Sequence, residues 1–109
     1  MQDSITKILK AIADPTRREL FHVLVVAASA LPISQLAAQF DMSRQGVTKH
    51  LKTLEEAGLI ATQASGRERY CSAKPASLKE VNKWLQTYEQ FWGDALGKLG
   101  TYLDTTSKT

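Results

Sequence analysis

Two kinds of side chain recur at helical spacing in residues 42–60, MSRQGVTKHLKTLEEAGLI. At about 3.6 residues per turn, one face of this helix is apolar and carries Val47, Leu51 and Leu54. The remaining surface carries amide, hydroxyl and cationic side chains, namely Arg44, Gln45, Thr48, Lys49 and Lys52. No carboxylate interrupts this polar stripe before Glu55. The stripe can therefore form hydrogen bonds and attract anions.

The groups on the polar stripe match those that a helix presents to a DNA duplex. Glutamine can pair with the edge of adenine, threonine offers a hydroxyl and a methyl group, and arginine or lysine reaches guanine or phosphate. The positive end of the helix dipole also favours phosphate, because the first half of the helix contains no acid. The other interpretation is an ordinary solvated helix face, and the stripe alone does not separate the two.

The flanking residues predict a helix-turn-helix. Ser34 is the candidate cap of a short preceding helix, and Asp41-Met42 makes a tight connection. Ser43 is the candidate N-cap of the helix that carries the polar stripe. This helix is expected to run from Arg44 to about Ala57, where Gly58 supplies a left-handed stop. Two helices joined by a turn of about three residues have the spacing of a helix-turn-helix.

A basic hairpin is predicted directly after this unit. LIATQA and RYCSA read as two short strands around the turn SGRE, with Arg67 at its tip and Arg69 on its flank. Glu55, Glu56 and Glu68 are the acids that interrupt the otherwise basic segment from residue 42 to residue 74. A hairpin wing that follows a helix-turn-helix favours nucleic-acid binding over the solvated face.

Three segments together resemble the ArsR-type winged-helix repressors: ADPTRRELFHVL, LPISQLAAQFDMSRQGVTKHLKTLEEAGLI and GRERYCSAKP. The resemblance covers roughly residues 5–75, and its motifs are specific in combination. It implies a homodimeric bacterial transcriptional regulator in which Gln45, Thr48 and Lys49 face the bases. Phosphate contacts are implied for Ser43, Arg44, His50 and the wing. The long tryptophan-containing tail is similar to the metal-independent branch of the family.

The last helix carries a long aromatic and aliphatic stripe that predicts a dimer. Its apolar residues are spaced three and four apart from Leu78 to Tyr102, and a stripe of this length would leave a large exposed patch on so small a domain. A second copy related by a two-fold axis can cover it, with the amphipathic first helix as companion surface. The predicted interface comprises Ile5, Leu9, Leu85, Tyr88, Trp92, Ala95, Leu99 and Tyr102. The alternative is a helix that folds back on its own domain.

The 109 residues are expected to form one compact unit with four parts. Residues 1–13 form a dimer-contacting helix, and residues 14–76 form the winged helix-turn-helix, whose second helix starts at Asp14-Pro15. Residues 77–104 form the dimerisation helix, capped by Ser77 and continuous or kinked at Gly93. Residues 105–109 are expected to be frayed.

Several functional classes are unfavoured by composition. Cys71, His22 and His50 are too few for a zinc or thiolate site, so no metal and no cofactor is predicted. No catalytic triad or phosphate-cradling glycine loop is visible, so the chain is not expected to be an enzyme. No signal pattern and no membrane-length apolar run occur, which predicts a cytoplasmic protein without a membrane partner. Cys71 is expected to be a packing residue.

The sequence thus predicts a mainly α-helical fold with a small β-hairpin, a winged helix-turn-helix with a long C-terminal dimerisation helix. The net charge of +3 fits an anionic partner, double-stranded DNA. The predicted function is a repressor that binds an inverted-repeat operator, with an unknown effector. The alternatives are a winged-helix module that binds protein instead of DNA, and a non-specific DNA binder, which would usually carry more charge.

Overall fold

The computed structural model describes residues 3–92 of the chain. The helices are α1 (Ser4–Ala13), α2 (Pro15–Ala27), α3 (Ile33–Gln39) and α4 (Arg44–Glu56), followed by a 3-10 turn (Pro75–Leu78) and by α5, which is described over residues 79–92. The strands are β1 (Leu31–Pro32), β2 (Ile60–Ser65) and β3 (Glu68–Ala73). The predicted winged helix-turn-helix is confirmed, with a sheet that is larger than a hairpin.

Asp14 and Pro15 start α2 as the sequence predicts. The Asp14 carboxylate accepts a hydrogen bond from the Arg17 backbone N–H at 3.0 Å, and Pro15 occupies the first helical turn. The Arg17 side chain then reaches back to the end of α1, where it donates to the carbonyls of Ala11 at 2.6 Å and Lys10 at 3.0 Å. These bonds satisfy carbonyls that a helix C-terminus leaves free, and they fix α1 against α2.

The start of α3 differs from the prediction. Its N-cap position is Pro32, which supplies no side-chain hydrogen bond, and Ser34 lies inside the helix. The Ser34 hydroxyl instead donates to Glu68 of β3 at 2.7 Å. The helix ends where Asp41 adopts a left-handed conformation (φ 51°), which turns the chain toward α4.

The described residues form a three-stranded antiparallel sheet in the order β1-β3-β2, where the sequence indicated two strands. Leu31 pairs with Cys71 and Pro32 with Tyr70. Pro32 has no N–H to donate, and it is accepted here since β1 is an edge strand. The β2–β3 loop has two residues, and Gly66 (φ 64°) takes the left-handed position at its first site.

One apolar core holds these elements together. Its fully buried members come from the four helices α1 to α4, from β3 and from the residue before β2: Ile8, Leu20, Leu24, Leu36, Val47, Leu51, Leu54, Leu59 and Cys71. Val47, Leu51 and Leu54 are the apolar face predicted for α4. Their burial fixes the rotation of α4 and therefore turns its polar stripe outward.

The junction between the wing and α5 also differs from the prediction. The Ser77 hydroxyl caps no helix and donates instead to the Gly58 carbonyl, so it ties the 3-10 turn to the end of α4. Val81 of α5 packs into the core, and Ser4 of α1 donates to Glu80 at 2.8 Å. The predictions for residues 93–109, including continuity through Gly93, fall outside the described residues. Among the described helices, none is both long and apolar enough to cross a bilayer.

Candidate nucleic-acid interface

Both ends of α4 are closed by the residues that the sequence indicated. The Ser43 hydroxyl accepts a hydrogen bond from the Gly46 N–H at 3.0 Å. At the other end, Gly58 has φ 80° and donates to Glu55 at 2.9 Å, while Leu59 donates to Leu54 at 3.0 Å. This pair of bonds is a Schellman motif, which explains the need for glycine. The helix is thus defined at both termini, and its outward face has a fixed orientation.

Gly46 has a local structural explanation. A Cβ atom at this position would lie 3.1 Å from the Ser43 hydroxyl oxygen and 3.3 Å from the Met42 methyl carbon. Glycine therefore leaves room for the N-cap that starts α4.

The predicted polar stripe is brought together on the surface. Arg44, Gln45, Thr48 and Lys49 are exposed and line one shallow concavity of about 580 Å³. Lys52 is also exposed and lies in the neighbouring cleft between α4 and the wing. No carboxylate lines the α4 concavity.

Thr48 already uses its hydroxyl hydrogen within the helix. The hydroxyl donates to the Arg44 carbonyl at 2.7 Å. The oxygen retains acceptor capacity, which suits an amino group of adenine or cytosine, and the methyl group suits thymine. Because of this bond, Thr48 can offer a base an acceptor oxygen and a methyl group but not its hydroxyl hydrogen.

Glu68 is the residue that the sequence reading missed. Its Oε1 accepts from the Arg44 guanidinium at 2.7 Å, and its Oε2 accepts from the Ser34 hydroxyl at 2.7 Å. These partners are 24 and 34 residues away in the chain, so no local pattern indicates them. The one available signal is that α3 has no acid in its own first turn, which leaves its N-terminus open to a carboxylate from elsewhere.

The two predicted wing arginines have different surroundings. Arg67 is exposed at the tip of the two-residue turn. Arg69 instead donates to the Thr62 hydroxyl at 3.1 Å, and Thr62 donates to Glu55 of α4 at 2.5 Å. Both arginines are exposed, and Arg69 also takes part in the contact between the wing and α4.

His50 lies on the flank of α4 and is half-buried. It is close enough to Asp14 for its charge to contribute to lowering the pKa of that carboxyl, although the hydrogen bond from the Arg17 N–H is the main cause. The phosphate contact implied by resemblance stays a prediction.

The described part of the predicted dimer surface is largely exposed. Leu9, Leu85, Tyr88 and Trp92 are exposed, and Ile5 is half-buried. Trp84 and Phe91 widen this apolar face, and the rings of Trp84 and Tyr88 pack edge to face at 5.8 Å. Ala95, Leu99 and Tyr102 lie outside the described residues.

Within residues 3–92, no three His, Cys, Asp or Glu side chains converge as metal ligands would. Cys71 is fully buried in β3. Burial, with smaller contributions from Glu55 and Glu68, raises the pKa of its thiol to about 11. A thiol in this state is a packing residue, because the thiolate is the reactive form.

Sequence comparison connects this geometry to known regulators. Residues 12–63 match a family model described as a helix-turn-helix domain. The HTH-type transcriptional regulator Rv2034 of Mycobacterium tuberculosis is 31% identical over 96 residues, which are 88% of this chain and 85% of the relative. The transcriptional repressor SdpR of Bacillus subtilis is 26% identical over 84 residues, which are 77% of this chain and 91% of the relative.

Solved structures agree with both fold and family. The crystal structure of an ArsR family transcriptional regulator superposes with a TM-score of 0.74 at 33% identity, covering 84% of this chain and 98% of the other. The homodimeric winged helix-turn-helix domain Mb0332 of Mycobacterium bovis has a TM-score of 0.60 over 81% of this chain and 80% of its own, and its 18% identity supports the fold alone. With a helix-turn-helix, a wing and relatives that are regulators and not enzymes, this chain belongs to the ArsR family of winged helix-turn-helix transcriptional regulators.

Proposed function

We propose that this protein is a sequence-specific repressor that acts as a homodimer on an inverted-repeat DNA operator, without a metal-sensing site. The observation that carries the proposal is the outward concavity of α4, where amide, hydroxyl and cationic groups are exposed without a lining carboxylate. An anionic duplex with hydrogen-bonding base edges complements such a surface. The second helix of a helix-turn-helix is the element that enters the major groove.

The proposed contacts divide into base and phosphate readers. We assign Gln45, Thr48 and Lys49 to the base edges, and they are exposed together in the concavity, which Arg44 also lines. Phosphate contacts are assigned to a larger set: Ser43, Arg44, His50, Lys52, Arg67 and Arg69. Of these, Arg67 is presented at the wing tip and suits the backbone or the adjacent minor groove.

The dimer is proposed from the apolar face of α5. Trp84, Leu85, Tyr88 and Trp92 are all exposed on one helix, and a patch of such residues marks an interaction surface. The hydrogen bond between Ser4 and Glu80 places the start of α1 next to the start of α5, so both can share the interface. Mb0332, which shares this fold at 18% identity, is itself homodimeric. A two-fold dimer presents two α4 helices to major grooves about 34 Å apart.

The bound dimer would repress transcription by occupying the promoter. The absence of a metal from the mechanism is part of the proposal: the chain has one cysteine and two histidines in all, and a carboxylate-only site would bind transition metals weakly. The nature of any effector stays open.

The test is selection of bound duplexes from a random pool at two salt concentrations. We expect enrichment of an inverted repeat whose half-sites lie about one helical turn apart, and an affinity that falls as salt rises. Protein treated with a chelator should select the same sequence with the same affinity. A metal requirement would contradict the metal-free mechanism.

The other outcomes separate the rival functions. Binding without enrichment would contradict sequence reading and indicate a backbone-dominated DNA binder. Absence of binding at both salt concentrations would contradict the proposal and favour a protein-interaction module.

A further inference from the structure

Glu68, the first residue of β3, is bonded to both helices of the helix-turn-helix. Its carboxylate accepts from Ser34 near the start of α3 and from Arg44, the first residue of α4, each at 2.7 Å. It also accepts from the Arg69 backbone N–H at 3.1 Å. A single carboxylate of the wing therefore contacts both α3 and α4, the helix that is proposed to face DNA.

This carboxylate is ionised at neutral pH. The hydrogen bond from the Ser34 hydroxyl is the main cause that lowers the pKa of Glu68, and the Arg69 N–H and the Arg44 charge add to it. A charged Glu68 beside Arg44 makes a pair with no net charge. Arg44 therefore does not add to the positive electrostatic potential around α4 while it is paired with Glu68.

The pair lies at the edge of the surface that is proposed to meet DNA. The Arg44 side chain is 52% exposed and that of Glu68 24%. Arg44 also lines the concavity with Gln45, Thr48 and Lys49. Ion pairs this accessible to water are weak, so a phosphate can replace the carboxylate.

We propose that Glu68 competes with DNA phosphate for Arg44, and so limits the number of phosphates that the protein neutralises. The inference rests on the proposed function and deepens it. When Arg44 turns to a phosphate, the Glu68 carboxylate loses its cation close to the duplex, and its repulsion of the phosphates offsets the gain. Lys52 and Arg67, which are also assigned to phosphates, have no ion pair within residues 3–92, so each counts fully toward phosphate neutralisation.

The test is Glu68→Gln, assayed with a random-sequence duplex of about 20 base pairs. The amide keeps one oxygen, which can still accept from the Ser34 hydroxyl, while the NH₂ group replaces Oε1, so the charge and the bonds from Arg44 and the Arg69 N–H are lost. Each neutralised phosphate adds about 0.9 to the slope of log affinity against log salt, so two freed arginines should steepen the slope by about 2 per dimer and raise affinity roughly tenfold or more at 0.1 M salt. An unchanged or shallower slope would overturn the inference.

Two control variants separate charge competition from loosening of the wing. Ser34→Ala removes the bond between α3 and the wing but keeps both charges, so it should leave the slope at the wild-type value. Glu68→Gln combined with Arg44→Gln should lose the steepening, because the freed cation is gone. A steeper slope in Ser34→Ala, or a steep slope that persists in the double variant, would overturn the inference.

A measurement on the wild-type protein covers the case in which Glu68→Gln does not fold, which circular dichroism would reveal. The carboxyl carbon-13 resonance of Glu68 should move when the duplex is added at neutral pH, since the carboxylate loses Arg44. A resonance that stays in place would overturn the exchange. Wild-type protein that binds no duplex would contradict the proposed function itself, whereas wild-type binding with an unchanged variant slope would contradict this inference alone.

Discussion

Trp92→Asp should break the dimer, and the structure gives the size of the effect. Trp92 is 47% exposed on α5. A tryptophan side chain offers about 150–250 Å² of surface, so roughly 100 Å² remains for a partner to cover. At about 25 cal/mol per Å², this is roughly 2.5 kcal/mol per subunit and about 5 kcal/mol per dimer. The dimer dissociation constant should therefore rise by roughly a thousandfold or more, and burial of the aspartate charge adds to the loss.

Sedimentation equilibrium over a range of concentrations measures this change, and circular dichroism establishes that the helices persist. Gln86→Asp is the matched control, because it adds the same charge to α5 at about 140° from buried Val81, whereas Trp92 lies at about 20°. We expect the control to remain a dimer, and the Trp92 variant to be a monomer or to lose its fold. A well-folded Trp92→Asp dimer of wild-type affinity would refute the assignment of this face to the interface.

Three further changes test other parts of the molecule. Lys49→Glu should abolish DNA binding while leaving the dimer intact, whereas the control Lys83→Glu on α5 should bind DNA normally. An anisotropy titration in which Lys49→Glu binds DNA at wild-type strength would contradict the role of α4. Burial raises the pKa of Cys71 from 9.0 to about 11. As the pH rises, the unfolded chain therefore loses the thiol proton before the folded chain does, and the free energy of unfolding falls between pH 9 and pH 11. Between about pH 8 and 10, the free energy of unfolding of the wild-type protein, measured with urea, should therefore fall by about 1 kcal/mol more than that of Cys71→Ala. Equal decreases in the two proteins would refute the buried thiol. Ala28 has φ 54° at the end of α2, so Ala28→Gly should raise the free energy of unfolding by roughly 0.5–1 kcal/mol, whereas Ala38→Gly inside α3 should lower it by about 1 kcal/mol.

The parts of the fold that the sequence predicts well depend on short-range chemistry. Asp14 with Pro15, Ser43 and Gly58 mark helix ends through bonds to residues at most four positions away. The apolar period of α4 likewise fixes which face is buried, so the outward stripe follows without knowledge of the rest of the chain. The candidate interface on α4 is accessible to sequence reasoning for this reason.

The missed features depend on partners far along the chain. Serine is a common helix cap, but the hydroxyls of Ser34 and Ser77 make other bonds. The Ser34 hydroxyl donates to Glu68, and the Ser77 hydroxyl donates to the Gly58 carbonyl. β1 exists because Leu31 meets Cys71 across the sheet, not because of its own two residues. Propensity describes what a residue can do locally, and tertiary contacts decide which option is taken.

Net charge illustrates the same limit for function. The sequence assigns Arg44 to the basic stripe and treats Glu68 as an interruption 24 residues later, whereas in the fold the two form one neutral pair. A formal charge of +3 counts every group equally. DNA affinity instead depends on which cations are free to meet phosphate, so the arrangement of a few acids around α4 matters as much as the total. By this reasoning, a relative with a neutral residue in place of Glu68 should show the steeper salt dependence expected of Glu68→Gln at the same formal charge on α4.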